Sequence, residues 1–228
     1  ITLPDLNISL SRIYPFKRKN AVGDERWYEK ISLSYTGRLT NSIRTKDNEI
    51  FQKNLIRDWT NGMNHNIPIT ATFTLFNYLN IVPSINYTER WYTRKVMKDW
   101  DGTEIAPTDT VYGFHRVYNY NVSLSMNTKL YGIYTPLFKA AREKEVQIRH
   151  VFTPQISLTA APDFGSSRYG YYETITYTDE NGEPRLETYS PYGYDGAPFS
   201  PPGRGKQGSV SFDVSNNIEM KLKSDKDT

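Results

Sequence analysis

The chain has 228 residues, a net charge of +3, no cysteine and only 37% hydrophobic residues. The absence of cysteine excludes disulfides, thiolate metal sites and cysteine nucleophiles, and a small, dispersed charge argues against nucleic-acid binding. No apolar run approaches the roughly 18 to 20 residues that a membrane-spanning helix needs. A low apolar content suits a β-barrel, in which only every second residue of a strand faces lipid.

Alternation of apolar and polar residues with a period of two dominates the sequence. In residues 31–40, for example, Ile31 and Leu33 share one face and Ser32 and Ser34 the other. Such alternation predicts strands with one apolar and one polar face. We predict a single all-β domain over residues 1–228, part of an antiparallel, up-and-down transmembrane β-barrel. Its seven or so long strands lie near residues 5–14, 27–43, 66–76, 79–98, 111–131, 146–161 and 207–223.

The connections between these strands alternate in character. Three are short and turn-like, at residues 15–26, 76–79 and 132–145, and three are longer or richer in Gly, Pro and charge, at residues 44–66, 99–110 and 162–206. Outer-membrane barrels show this asymmetry, with short periplasmic turns and long external loops. The strict alternation is what an up-and-down meander requires.

Two of the long loops carry a prediction of their own. Residues 47–60 place Phe51, Leu55, Ile56 and Trp59 on one helical face, with Asp47 as N-cap and Gly62 as stop, which predicts a short helix. In the last loop, the Asn181-Gly182 pair lies between two strand-like segments and predicts a projecting hairpin. The Pro- and Gly-rich residues 190–208 after it predict irregular structure.

Aromatic residues cluster near the predicted strand ends. An aromatic ring with a polar tip is suited to the interface between lipid and water, although aromatic residues are common in all strands. We favour interfacial positions for Trp27, Tyr28, Trp91, Tyr92, Tyr118, Tyr120, Tyr131 and Tyr134.

No pattern in the sequence indicates catalysis, a metal or a cofactor. The histidines His65, His115 and His150 are far apart and lack partners at metal-ligand spacing, so we expect them to be polar residues of loops or of the lumen. The sequence contains no G-x-S-x-G motif. The close acid pairs at residues 24–25, 179–180 and 225–227 lie in predicted turns, where carboxylates are solvated. We expect a protein that is not an enzyme.

Several segments resemble the barrel domain of the LptD family, the lipopolysaccharide-assembly proteins of the bacterial outer membrane. The likeness rests on residues 11–19 (SRIYPFKRK), 27–35 (WYEKISLSY), 90–92 (RWY), 149–154 (RHVFTP), 205–208 (GKQG) and 223–227 (KSDKD). It covers most of the chain, but these phrases are structural and not catalytic. It implies a location in the cell outer membrane.

The resemblance also implies a larger parent protein, with an amino-terminal periplasmic jellyroll and a barrel of about two dozen strands. The chain opens at Ile1 without a signal peptide, and we expect a cut or missing amino terminus, so this absence says nothing about export. The chain would supply a middle portion of the barrel. It contains neither the jellyroll nor cysteines that could link the two domains, and we expect the lateral exit to lie outside it.

The mechanism implied by the resemblance separates the two parts of lipopolysaccharide. The glycan would cross a hydrated lumen, and the acyl chains would leave sideways into the outer leaflet. Residues implied to line the lumen are Ser32, Thr36, Arg38, Ser123, Asn127 and Arg149. The implied partners are the remainder of the LptD-like chain, an LptE-like plug lipoprotein, lipopolysaccharide and outer-membrane lipids. Energy would come from an ATP-driven bridge at the inner membrane.

Two alternatives remain open from the sequence. A segment of a porin or of a TonB-dependent transporter would show the same strands, alternation and interfacial aromatic residues. A soluble β-sandwich that binds carbohydrate could instead use exposed Tyr and Trp as sugar platforms. The length of the strands and their Ser- and Thr-rich faces argue against the sandwich.

Overall fold

The computed structural model describes residues 1–20, 22–45, 57–136, 146–179 and 181–221. Strands dominate these ranges. They are β1 (Thr2–Ile13), β2 (Ile31–Ser42), β3 (Thr60–Ala71), β4 (Phe73–Leu75), β5 (Leu79–Trp100), β6 (Ile105–Thr128), β7 (Leu130–Tyr134), β8 (Gln147–Ala161), β9 (Glu173–Thr178), β10 (Pro184–Tyr189) and β11 (Gln207–Lys221). Single turns of 3-10 helix occur at Trp27–Lys30 and Ser167–Tyr169.

Nine of the strands form one antiparallel sheet in the order β1-β2-β3-β5-β6-β8-β11. The short strands β4 and β7 continue β3 and β6 after one-residue interruptions at Thr72 and Lys129, and each keeps the pairing register of its parent strand. The sheet is therefore a meander of seven long strands. The predicted all-β, antiparallel fold class is confirmed.

Tight turns join several of these strands. At one end of the sheet, Phe76 and Asn77 both have positive φ angles, 53° and 65°, and the Tyr78 N–H donates to the Leu75 carbonyl at 3.2 Å. Two central residues with positive φ define a type I′ turn, which matches the twist of a hairpin. We call this end of the sheet the lower end and the opposite end, where residues 101–104 lie, the upper end.

The connection between β5 and β6 is shorter than the loop predicted at residues 99–110. The two strands stay paired up to Trp100 and Ile105, and only residues 101–104 form the turn. Asp101 Oδ1 closes this turn by accepting the N–H groups of Thr103 and Glu104, both at 2.8 Å. Pro107 is tolerated because it lies beside a bulge, on a stretch of β6 that pairs with β5 alone among the described strands.

The loop predicted at residues 44–66 is also shorter, because β3 already begins at Thr60. The predicted helix at 47–60 falls mainly on residues 46–56, which lie outside the described ranges, and Gly62, its expected stop, is part of β3. None of the helices described here has the length and apolar character required to cross a membrane.

The segment between β8 and β11 carries the predicted hairpin as a separate two-stranded sheet, β9–β10. Its turn is closed by Asp179 Oδ1, which accepts the N–H groups of Asn181 and Glu183 at 2.9 Å. Glu180 lies outside the described residues. Stacking of Tyr177 on Trp100, with ring centroids 4.5 Å apart, fixes the hairpin to the upper end of β5.

Candidate functional site

The pairing register divides the main sheet into two chemically different faces. Residues directly opposite each other in neighbouring strands project to the same side. Following the register across six strands gives one row that consists only of hydroxyl residues: Ser32, Thr70, Ser84, Ser123, Thr159 and Ser209. We call the side of the sheet that carries this row the polar face.

Side chains on the polar face bond to each other across the strands. The hydroxyls of Ser32 and Thr70 are 3.0 Å apart, and those of Ser123 and Thr159 are also 3.0 Å apart. One row lower, Ser125 and Ser157 repeat the arrangement at 3.0 Å. Each hydroxyl can both donate and accept a hydrogen bond. These pairs can therefore exchange their mutual hydrogen bond for hydrogen bonds to water or to a polar solute.

The opposite side, the apolar face, is lined by aliphatic and aromatic residues. Below the level of Tyr120, the described residues place no covering layer on it. Its exposed members include Ile85, Val122, Val210 and Phe212, with 42%, 46%, 74% and 65% of their surface accessible. A sheet that presents a broad apolar surface on one side requires an apolar surrounding. This face is therefore suited to lipid.

All six residues predicted to line a lumen lie on the polar face: Ser32, Thr36, Arg38, Ser123, Asn127 and Arg149. Arg38 forms a two-pronged ion pair with Asp5, at 3.0 and 2.7 Å. Arg149 lies 3.9 Å from Glu219 and 5.6 Å from the centre of the Tyr131 ring.

The eight aromatic residues predicted at the interfaces separate into different environments. Trp27 and Tyr134 are exposed, and Trp91, Tyr118 and Tyr120 lie on the apolar face near its upper end. Tyr28 is half-buried beside Trp27, and Tyr131 is exposed on the polar face.

Tyr92 does not occupy the interfacial position predicted for it, because it is fully buried on the polar face. It belongs to a cluster in which residues of 162–206 pack on β5 and β6: Tyr92, Val117, Phe164, Tyr171 and Tyr192. Its hydroxyl donates to the Phe199 carbonyl at 3.1 Å. The sequence places two aromatic residues side by side at positions 91 and 92, and only the register decides which of them faces inward.

Residues 162–206 thus cover the upper end of the polar face. The Val96 N–H donates to the Pro191 carbonyl at 2.8 Å, and the Lys98 N–H donates to the Tyr189 hydroxyl at 2.9 Å. The contact at Gly62 is close, since a Cβ added there would lie 2.6 Å from Pro198 Cγ. The covering segment is therefore attached both to the upper part of β5 and to β3.

Just below this cover, the polar face has a cavity of about 430 Å³ lined by Asn7, Thr36, Gly37, Arg38, Asn64, Asn66, Thr88 and Arg90. Two rows of the register form its floor. The upper row is Asn7, Arg38, Asn64 and Arg90, and the lower row is Thr36, Asn66 and Thr88. Its lining carries amides, hydroxyls and two guanidinium groups but no carboxylate.

A charged cluster on the apolar face is a feature that the sequence did not predict. Glu89 pairs with Arg116 at 2.7 Å and accepts the Trp91 indole N–H at 2.7 Å. Tyr87 also donates to Glu89. Next to it, His65 lies between Tyr35 and Trp91, bonded to the Tyr35 hydroxyl at 2.9 Å. Alternation alone could not reveal this cluster, because its members come from four strands and meet only through the register.

The histidines do not converge. His115 lies on the polar face, whereas His65 and His150 lie on the apolar face, in contrast to the loop or lumen positions expected for them. Within the described ranges, no group of three or more His, Asp or Glu side chains could hold a metal ion.

Each edge of the main sheet is open within the described residues. β1 pairs only with β2, and β11 pairs only with β8. Both edge strands are exposed along their whole length. Unpaired backbone amides are very costly in a lipid environment, so in a membrane both edges require further strands.

A family model described as LptD protein matches residues 1–228, the whole chain. No curated protein and no solved structure matches the chain. The family match confirms the resemblance found in the sequence, and it favours lipopolysaccharide transport over the porin, the TonB-dependent transporter and the soluble sandwich.

Proposed function

The chain belongs to the LptD family of outer-membrane proteins for lipopolysaccharide transport, and from this premise we propose that it forms part of the wall of the translocon. In this proposal the glycan of lipopolysaccharide moves along the polar face through a hydrated lumen. The acyl chains leave sideways into the outer leaflet. Proteins of this family are components of a transport system and are not known as enzymes.

The observation that carries the proposal is the hydroxyl row across the middle of the sheet, with apolar residues directly behind it. A glycan is too polar to enter hydrocarbon without replacement of its hydrogen bonds to water. Serine and threonine hydroxyls supply such bonds without fixed charge, so they hold a sugar only weakly at each position. Weak and repeated contacts allow a polar solute to move along a surface instead of remaining bound.

The cover at the upper end supports sideways release. Residues 162–206 lie across the polar face near Gly62 and Tyr92 and are bonded to β5. A molecule that rises along the polar face meets this cover before it reaches the 101–104 turn. Release through a gap between strands avoids that obstruction, and we place this gap outside residues 1–228.

The open edges support the proposed partners. The remainder of an LptD-like chain would pair with β1 and with β11 and close the barrel. A plug lipoprotein such as LptE would then occupy the lumen against the polar face. Lipopolysaccharide is the cargo, and outer-membrane lipids contact the apolar face.

Photo-crosslinking at neighbouring positions of β6 tests the proposal. A photoreactive amino acid replaces Ser123 in one variant and Leu124 in the other, within the complete protein and its partners during ATP-driven transport. These adjacent residues project to opposite faces. We expect transport-dependent cross-links to lipopolysaccharide at position 123 and none that depend on transport at position 124. Equal cross-linking at both positions, or none at position 123, would contradict the proposal.

A further inference from the structure

Arg90 occupies an unusual position on the polar face. It lies on β5 opposite Asn64 of β3 and Val117 of β6, one row below Tyr92. Its side chain is half-buried, and its Nη1 donates to Asn119 Oδ1 at 2.6 Å. Among the described residues, no carboxylate lies within ion-pair distance of this guanidinium.

The second arginine of the same cavity differs in this respect. Arg38 is held by both carboxylate oxygens of Asp5, so its charge is neutralised within the sheet. The two arginines belong to the same row, separated by Asn64. The row therefore keeps one uncompensated positive charge, and that charge belongs to Arg90.

A buried acceptor lies beside this charge. Asn64 Oδ1 is inaccessible to solvent and has no hydrogen-bond partner among the described residues. Buried polar atoms are normally paired, and each exception needs an explanation. Rotation of the Asn64 amide would bring Oδ1 to the cavity that this residue lines. A sugar hydroxyl could then donate to Oδ1 while an anionic group on the same sugar pairs with Arg90. The volume of about 430 Å³ is sufficient for one sugar ring with such a group.

We propose that this cavity is an anion-recognition subsite of the conduit, in which Arg90 binds a phosphate or carboxylate substituent of the passing glycan and Asn64 accepts one of its hydroxyl groups. The proposal rests on the function proposed above and adds a step to it. On β2, β3, β5 and β6 below the cavity, the polar face offers neutral hydroxyls and amides. Directly beneath the cover it offers a cation, so the charged part of the glycan pauses where its upward path ends.

Binding measurements on the complete protein with its partner subunits test this subsite. Three lipopolysaccharide preparations serve as probes: untreated, dephosphorylated and carboxyl-reduced. For the natural protein we expect removal of the recognised group to weaken binding about tenfold, the effect of one lost charge-assisted hydrogen-bonded contact. The preparation that shows the loss identifies the group as phosphate or as carboxylate.

The variant Arg90→Gln is expected to bind all three preparations equally. Its affinity should equal that of the natural protein for the preparation that lacks the recognised group. Arg90→Lys keeps the charge and is expected to retain part of the preference. The matched control is Arg185→Gln, which removes one charge from the β9–β10 hairpin, where Arg185 pairs with Asp179 at 2.9 Å. Heat-modifiable electrophoretic mobility confirms that each barrel is folded.

The outcomes separate the two proposals. If the natural protein binds none of the preparations, the proposed conduit itself fails. If it binds all three equally, or if Arg90→Gln keeps the full preference, the subsite is overturned while the conduit stands.

Discussion

Tyr171 reaches the edge of β6 from the covering segment, and its hydroxyl oxygen accepts the backbone N–H of Tyr118 at 2.9 Å. At this height no described strand pairs with the outer side of β6, because β8 pairs with it only between Val122 and Asn127. The tyrosine hydroxyl therefore takes the place of a strand carbonyl. This bond joins the cover to the sheet wall.

The variant Tyr171→Phe is expected to loosen the cover without unfolding the barrel. It keeps the ring but leaves the Tyr118 N–H unpaired, which costs about 1–2 kcal/mol. Hydrogen exchange should accelerate at Tyr118 and in residues 162–206. Tyr177→Phe is the control, since the described residues supply no hydrogen bond to that hydroxyl. Unchanged exchange at Tyr118 would show that the bond does not hold the cover.

The variant Gly62→Ala is expected to lift the cover from the polar face. The new Cβ would lie 2.6 Å from Pro198 Cγ and 2.8 Å from Pro198 Cβ, so the proline must move. Overpacking of this kind costs about 1–3 kcal/mol. The measurement is the ionic conductance of the complete protein in planar bilayers, which should rise as the upper end opens.

Gly208→Ala is the matched control for Gly62→Ala, because its Cβ would meet no atom closer than 3.9 Å. It should leave the conductance at the natural level. A Gly62→Ala protein with the conductance of the control would mean that residues 162–206 do not obstruct the lumen.

The alternation of apolar and polar residues predicts the two faces of the sheet, because it depends only on neighbouring residues within one strand. Ser123 and Leu124 belong to opposite faces in any antiparallel arrangement that preserves the strand. The extent of β5 and β6 was not predictable in this way, since Gly102 and Pro107 are also the usual signals of a loop. The burial of Tyr92 and the pairing of Glu89 with Arg116 depend on register and on residues 162–206, which are distant in sequence.

The turn after β1 is predicted to open only in strong acid. Glu29 is 1% exposed. Its carboxylate accepts hydrogen bonds from the Arg18 Nε–H at 2.6 Å and from the Arg26 backbone N–H at 2.7 Å. The Arg18 guanidinium and the backbone N–H groups of Arg26 and Arg18 lower the pKa of Glu29 to about 2. Because the pKa in the folded state is depressed, the stabilisation is complete above the ordinary value of 4.5 and is lost as the pH falls through about 2.

Pepsin digestion across this pH range checks the prediction. Cleavage within residues 15–26 should be slow near pH 4 and should increase as the pH approaches about 2. Glu29→Gln removes the charge, so its cleavage should be fast throughout. Glu25→Gln serves as the control, because the Lys17–Glu25 ion pair is largely exposed and contributes little. Resistance of Glu29→Gln equal to that of the control would contradict the role of Glu29.

The charged cluster on the apolar face indicates where the membrane ends. Ten residues of β5 separate Glu89 from Leu79 at the lower end, and at about 3.3 Å per residue and a tilt of ~40° they span roughly 25 Å, the height of the apolar band of a barrel. Exposed Phe76 and Tyr78 mark the lower limit, and the Glu89–Arg116 ion pair marks the upper one. The strands above Glu89 then project beyond the membrane.

Arginine substitution at two depths of β6 tests this placement. Val122 lies near the middle of the band, and Phe114 lies above the Glu89–Arg116 pair at its upper limit; both are on the apolar face. Val122→Arg should destabilise the barrel by roughly 2–4 kcal/mol, and Phe114→Arg by only about 0–1 kcal/mol, because the cost of a cation falls toward the interface. Unfolding of the complete protein in lipid vesicles by denaturant gives both values. Similar losses for the two variants would mean that the apolar face does not contact a bilayer at the proposed height.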